Sequence, residues 1–163
     1  IPTLAEVLRL VAGRVPLLIE LKDQDGAMGP NVGAMEEAVA IMLMAYRGPV
    51  AVMSFNPHSA AAMAKAAPGI ARGLTTSAYR PEDWPLLPAA VCNRLRAIPD
   101  YDRVYASFVS HEASDLENPR LAQIRAQRGK ILCWTIRSIQ DEIQAGKRAD
   151  NVTFEGYPSP PGV

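Results

Sequence analysis

Short apolar runs recur along the chain at Leu17–Leu21, Val50–Met53, Ala71–Leu74, Val104–Phe108, Ile131–Thr135 and Val152–Phe154, each of a length that suits a strand. Between them lie amphipathic segments bounded by helix signals. Thr3 with Glu6 forms a capping box ahead of a helix that Gly13 stops, Gly48 stops a helix through Met35–Tyr46, and a helix from Ser138 to Ala145 ends at Gly146. The apolar stretch Val39–Tyr46 reads as a buried part of its helix. Strand and helix therefore alternate throughout, and strands apolar on both faces imply a parallel sheet covered by helices. An open doubly wound sheet and a (β/α)8 barrel both satisfy that pattern, and periodicity does not separate them.

The first strand breaks its own pattern. Successive side chains alternate faces, so Leu18, Glu20 and Lys22 share one side while Leu17, Ile19 and Leu21 share the other. Two opposite charges thus stand on a face that a buried strand keeps apolar. An ionised carboxylate facing a sheet interior is costly unless a metal or a partner neutralises it, so its place at the C-terminal end of a strand asks for a functional reason.

Composition narrows the classes. With 163 residues, 48% hydrophobic and 21% charged, the chain suits one globular domain with a substantial core. Lys and Arg balance Asp and Glu at 17 each, so no global field draws it to nucleic acid or to an anionic membrane, and an anionic substrate has to be held locally. No window reaches the roughly 18 apolar residues of a membrane span. Gly26 and Gly29 lie in a loop with the wrong spacing for a dinucleotide or phosphate-binding turn, which lowers the case for nucleotides. Cys92 and Cys133 fit no metal-binding spacing; Cys133 reads as a small hydrophobe inside a strand, with a Cys92–Cys133 disulfide the minor alternative. Lack of a cysteine framework favours the cytoplasm. A chain starting at Ile1 leaves the natural N-terminus unseen, and with it a periplasmic or secreted location open. The tail Tyr157–Val163 is Pro-rich and expected to be extended.

Read in order, Ile1-Pro2-Thr3-Leu4 before Glu6-Val7-Leu8, then Leu18-Ile19-Glu20-Leu21-Lys22, Ser54-Phe55-Asn56-Pro57, Cys133-Trp134-Thr135 and Asn151-Val152-Thr153-Phe154-Glu155-Gly156-Tyr157-Pro158 resemble the glycerophosphodiester phosphodiesterase family. The resemblance runs over nearly the whole chain and implies a (β/α)8 TIM barrel of which residues 1–163 are strands three to eight, with the first two βα units absent. The family's His-Arg-Gly, Glu-x-Asp and His-Asp motifs do not occur in this sequence. By the resemblance, the catalytic histidines and two of three metal carboxylates belong upstream. A complete barrel needs about 200 residues or more, so the fragment alone is expected to be inactive.

What the resemblance implies for single residues follows. Glu20 is the expected ligand of a divalent cation, Mg²⁺ or Ca²⁺, whose hardness suits carboxylate oxygen; the plain alternative is a salt bridge. Lys22 resembles the family's phosphate-contacting lysine, a point charge set against the phosphodiester, or else it is a solvated rim lysine. Trp134 and Phe55 read as an aromatic wall against the glycerol or alcohol, or as core filling, and Ser54 as a hydrogen-bond donor to substrate or to its own turn. Glu155 stands where relatives carry Asp. His58 and His111 follow predicted strands and so reach the rim, yet the family's working histidines belong to motifs missing here. Arg72, Arg80, Arg94, Arg96 and Arg103 read as solvated surface. The expected reaction is metal-dependent hydrolysis of a small glycerophosphodiester to sn-glycerol 3-phosphate and an alcohol. A related lipid phosphodiesterase, or a truncated barrel serving as a non-catalytic interaction module, are the competing readings.

Overall fold

The computed structural model describes residues 1–158, so the reading of the tail beyond Pro158 lies outside the described residues. Six strands, β1 (Leu17–Glu20), β2 (Val50–Ser54), β3 (Ala71–Thr76), β4 (Phe108–Glu112), β5 (Lys130–Ile136) and β6 (Asn151–Phe154), form one sheet in sequence order. Every neighbouring pair is parallel. Six α-helices alternate with them: α1 (Leu4–Val11) leads into β1, α2 (Ala34–Met44) and α3 (Pro57–Ala66) follow β1 and β2, α4 (Ala89–Arg96) and α5 (Pro119–Ala126) follow β3 and β4, and α6 (Ile139–Ala145) follows β5.

Local chemistry starts these helices where the sequence says it should. Thr3 Oγ1 accepts the Glu6 N–H, and the Glu6 carboxylate accepts the Thr3 N–H in return. Asn56 caps α3 with Pro57 at its first position, and Ser138 caps α6. Gly13 and Gly48 act together beyond their helices. A Cβ on Gly48 would meet the Gly13 Cα at 2.6 Å, so two close backbone segments require both to lack side chains.

Two expectations shift. The fourth strand runs over Phe108–Glu112 instead of Val104–Phe108: Val104 is wholly buried in a turn, its N–H donating to the Asp100 carbonyl, and Tyr105 has a φ of 50° that no strand accommodates. The Val39–Tyr46 stretch is amphipathic in practice, burying Val39, Ala40 and Leu43 while Ile41 and Met44 face outward. Cys92 and Cys133 are separate, buried thiols.

Two apolar clusters fill the space between the sheet and its helices. Leu17, Ile19 and Leu21 pack with Leu8, Val39, Leu43 and Met63 beneath the helices, and Leu74, Val109 and Ile131 pack with Ala60, Leu121 and Ile124. The opposite face curls around a groove of about 680 Å³, to which β1 supplies Leu18, β2 Met53, β4 Phe108, β5 Leu132 and β6 Phe154. Gly73 sits under Phe108 on this face, where a Cβ would meet the ring at 2.2 Å. The outer edges of β1 and β6 pair with no further strand among the described residues.

Candidate active site

The sheet's alternation decides which residues reach the groove. Since Leu17, Ile19 and Leu21 face the helices, Leu18, Glu20 and Lys22 project the other way. Glu20 Oε1 and Lys22 Nζ lie 2.9 Å apart at the C-terminal end of β1, with the carboxylate side chain 22% exposed and the ammonium side chain 72% exposed. The structure therefore brings these two together as an ion pair at the C-terminal end of β1, on the sheet face opposite the helices.

Two residues beyond the Glu20–Met53 register pair, the chains reach Lys22 and Phe55. Phe55 meets Trp134 edge to face, with centroids 5.4 Å apart, and Trp84 at 5.2 Å; Trp84 in turn lies 5.0 Å from Tyr79. Such contacts make a stiff aromatic wall whose rings prefer offset geometries. Its indole N–H groups are satisfied internally. Trp134 Nε1 donates to the Thr76 and Ser110 carbonyls at 3.2 and 3.1 Å, and Trp84 Nε1 donates to Ser77 Oγ at 3.1 Å. The ring faces and edges remain for a ligand. Ser54 lies apart from this wall. It is fully buried on the helix side of β2, where its hydroxyl donates to the Leu21 carbonyl at 2.7 Å and accepts the Asn56 N–H.

Glu112, at the end of β4, escapes detection in the sequence because that strand is expected four residues earlier. Its carboxylate accepts the Ala78 N–H at 3.0 Å, Arg80 Nη1 at 2.7 Å and the Ser114 hydroxyl. Burial raises this carboxyl, but the bonds from Ser114, Ala78 and Arg80 outweigh it and hold it below the usual range. Glu112 shares a cavity of about 440 Å³ with Ser77, Trp134, Thr135 and Arg137, which lie at or just past the C-terminal ends of strands, and with Trp84 from the loop between β3 and α4. Placing β4 correctly would have exposed Glu112 through its alternation with Phe108 and Ser110.

The arginines do not form a uniformly solvated set. Arg72 is buried and donates to the Pro68, Ile70 and Tyr105 carbonyls; Arg94 and Arg103 hold the buried Asp100; Arg96 donates to the Ala78 and Tyr79 carbonyls; Arg80 is the Glu112 partner. Five orphan carbonyls and two carboxylates account for them, which a sequence without contacts does not reveal. The two histidines lie on different elements and form no pair. His58 lies in the first turn of α3, where burial first and then the nearby Arg103 charge lower its pKa. His111 lies within β4 on its helix side, fully buried between Thr76 and Asp115. Glu155 is exposed and pairs with Arg137 at 2.8 Å.

A hard divalent cation takes six or more oxygen ligands, or keeps several waters beside one or two carboxylates. Among the described residues no group of three or more His, Cys, Asp or Glu side chains gathers to hold a metal, and the Glu20 carboxylate is already neutralised by Lys22. These residues do not by themselves make up a cation site. No helix among the described residues is long and apolar enough to cross a membrane.

With this geometry in hand, comparison with solved structures is decisive for the architecture. A phosphodiesterase of Oleispira antarctica, in complex with the product sn-glycerol 3-phosphate, superposes with a TM-score of 0.67 at 22% identity over 94% of this chain and 57% of its own. The fold is that of the glycerophosphodiester phosphodiesterases. Members from Parabacteroides distasonis and Thermotoga maritima match with TM-scores of 0.64 and 0.63 at 15% and 16% identity, each over 94% of this chain and 59% of their own. The chain thus spans a little over half the length of the structures it matches. Neither protein-family sequence models nor curated protein sequences match it.

Proposed function

We propose that these 163 residues carry strands three to eight of a (β/α)8 barrel that hydrolyses glycerophosphodiesters to sn-glycerol 3-phosphate and an alcohol, with the barrel closed by βα units beyond them. The single observation that carries the reading is the Glu20–Lys22 pair on the groove face at the C-terminal rim, within a fold shared with a phosphodiesterase that holds sn-glycerol 3-phosphate. Active sites of such barrels sit at that rim. The open edges of β1 and β6 and the exposed interior side chains Leu18 and Phe154 support closure by further strands.

In this reading the chain's own residues bind and orient. Lys22 sets a positive charge against the phosphate, where charge builds up as the diester is displaced. Phe55, Trp134 and Trp84 shelter the carbon skeleton and thin out water around that charge. Glu20 pairs with Lys22 when no phosphate is bound and is the candidate among the described residues for the expected Mg²⁺ or Ca²⁺, whose other ligands would have to come from beyond these residues. Acid–base work falls outside this chain too, since His58 sits in a helix and His111 behind the sheet. This stretch alone is therefore expected to bind phosphate esters without turning them over.

Both tryptophans of the sequence lie in the aromatic wall, so intrinsic fluorescence reports on the site. Titration with sn-glycerol 3-phosphate is expected to give a saturable change that glycerol does not. A folded chain that responds to neither at millimolar concentration would overturn the reading. Joined to its remaining barrel units, the protein is expected to release sn-glycerol 3-phosphate from glycerophosphocholine or glycerophosphoethanolamine.

A further inference from the structure

We propose that His111, buried behind the sheet, is a positioning residue that fixes Trp134 at the groove by clamping the two strand ends whose carbonyls hold the indole. The proposal rests on the reading of Trp134 as part of the substrate wall, but the clamp itself stands on geometry that needs no ligand.

Thr76 and His111 are the last register pair between β3 and β4, where a parallel ladder runs out and its ends would fray. A side-chain bond replaces the missing rung. Thr76 Oγ1 lies 2.7 Å from His111 Nδ1, and His111 Nε2 lies 2.9 Å from Asp115 Oδ2 just beyond β4. The partners assign the protons. A carboxylate accepts only, so Nε2 carries hydrogen; in a neutral ring Nδ1 is then the acceptor and the Thr76 hydroxyl the donor. Every polar atom of a fully buried imidazole is satisfied in this one arrangement.

The consequence lies on the other face of the sheet. Trp134 belongs to β5, and its Nε1–H reaches across β4 to β3, shared between the Ser110 and Thr76 carbonyls. His111 governs both acceptors, being the chain neighbour of Ser110 and the hydrogen-bonded partner of Thr76. If the β3 and β4 ends separate, the two carbonyls part and the indole loses its shared anchor. A histidine on the wrong face for catalysis thereby sets the attitude of an aromatic on the right one.

The test reads Trp134 directly. Hydrogen exchange of its indole N–H, assigned with Trp134→Phe, is compared with backbone amides of β1, which a loss of global stability would move equally. Thr76→Val keeps the carbonyl and the side-chain shape but removes the hydroxyl, and is expected to speed indole exchange about tenfold relative to β1. Thr76→Ser is expected to restore slow exchange. Should Thr76→Val fail to fold, Asp115→Asn, at the partly exposed end of the clamp, is expected to act in the same direction to a smaller extent. Indole exchange that stays in step with β1 in the folded variants would overturn the proposal. Because exchange is read without ligand, absence of sn-glycerol 3-phosphate binding by the unaltered chain would count against the phosphodiester reading alone.

Discussion

Replacing Lys22 by Ala, and separately Glu20 by Gln, gives predictions of opposite sign at one locus. Lys22 Nζ lies 2.9 Å from Glu20 Oε1 with 72% of its side chain exposed. A hydrogen bond to a charged group contributes about 1.5–3 kcal/mol when sheltered. Water at this degree of exposure reduces that to about 1 kcal/mol, which is about fivefold in Kd. Lys22→Ala is therefore expected to weaken sn-glycerol 3-phosphate binding about fivefold, and the unaltered chain is expected to lose a similar factor between low and high salt. Glu20→Gln removes both the competitor for Lys22 and a repelling charge, so in chelator-containing buffer it is expected to tighten binding about two- to fivefold. Tryptophan fluorescence titration or calorimetry measures both, and general unfolding cannot produce the improvement. Equal affinities for Lys22→Ala and the unaltered chain, or weaker binding by Glu20→Gln without cation, would refute the placement of phosphate at this pair. Repeating the titrations with Mg²⁺ or Ca²⁺ examines the cation expectation, because a ligand role for Glu20 turns its advantage on substitution into a loss.

Three further outcomes follow from packing and titration. Gly73→Ala drives a Cβ into the Phe108 ring, so thermal melts are expected to show a loss of about 1–3 kcal/mol, and an unchanged Tm would show that the ring yields into the groove at no cost. Burial lowers the His111 pKa, with the Asp115 bond only partly opposing it. The unfolded chain then binds more protons than the folded one below about pH 6.5, so urea midpoints are expected to be flat above that pH and to fall beneath it, and because the His58 pKa is lowered too, His111→Asn and His58→Gln are each expected to remove part of that slope. Burial raises the Asp100 carboxyl, but Arg94 and Arg103 more than offset it and leave its pKa lowered. Asp100→Asn, which strands two guanidinium groups that are about half exposed, is expected to cost about 1–2 kcal/mol in denaturant melts at pH 7, a difference that shrinks progressively as the pH falls below the ordinary carboxyl range of about 4.

How much of this was legible in the sequence depends on where each element hides its polar groups. The capping box at Thr3 and Glu6, the helix from Ser138 to Ala145 and the charged end of β1 are local signals, and the structure carries all three, with the last helix running over Ile139–Ala145 behind its Ser138 cap. β4 was displaced because its sequence, Phe-Val-Ser-His-Glu, spends three of five positions on polar side chains, whereas the preceding Val104–Phe108 looks more like a strand. Two of these polar residues have a reason that only tertiary contacts supply: Glu112 accepts the Ala78 N–H and Arg80, and His111 is satisfied from behind by Thr76 and Asp115. Among the arginines read as solvated, Arg94, Arg96 and Arg103 are exposed, and the buried Arg72 departs from that reading for the same reason. A guanidinium that caps stray carbonyls, as Arg72 and Arg96 do, is indistinguishable from a solvated one until the chain ends that it joins are known.

The misplacement of β4 is also where the site is most distinctive. A strand whose helix side is apolar at Val109 and polar at His111 gives up hydrophobic burial just where the ladder ends. That exchange makes sense if the rim needs a fixed geometry more than extra stability, since a hydrogen-bonded clamp specifies one arrangement whereas apolar packing tolerates several. On the groove side the same strand ends in Glu112, locked by Arg80, Ser114 and the Ala78 N–H, so both faces of β4 are pinned within two residues of each other. Trp134 lies across that pinned end and meets Phe55, which stands two residues beyond the register partner of Glu20. The aromatic wall is thus referenced to the charged pair through backbone, not through a flexible loop, and a phosphate held at Lys22 would find its carbon skeleton facing a surface that does not move away from it.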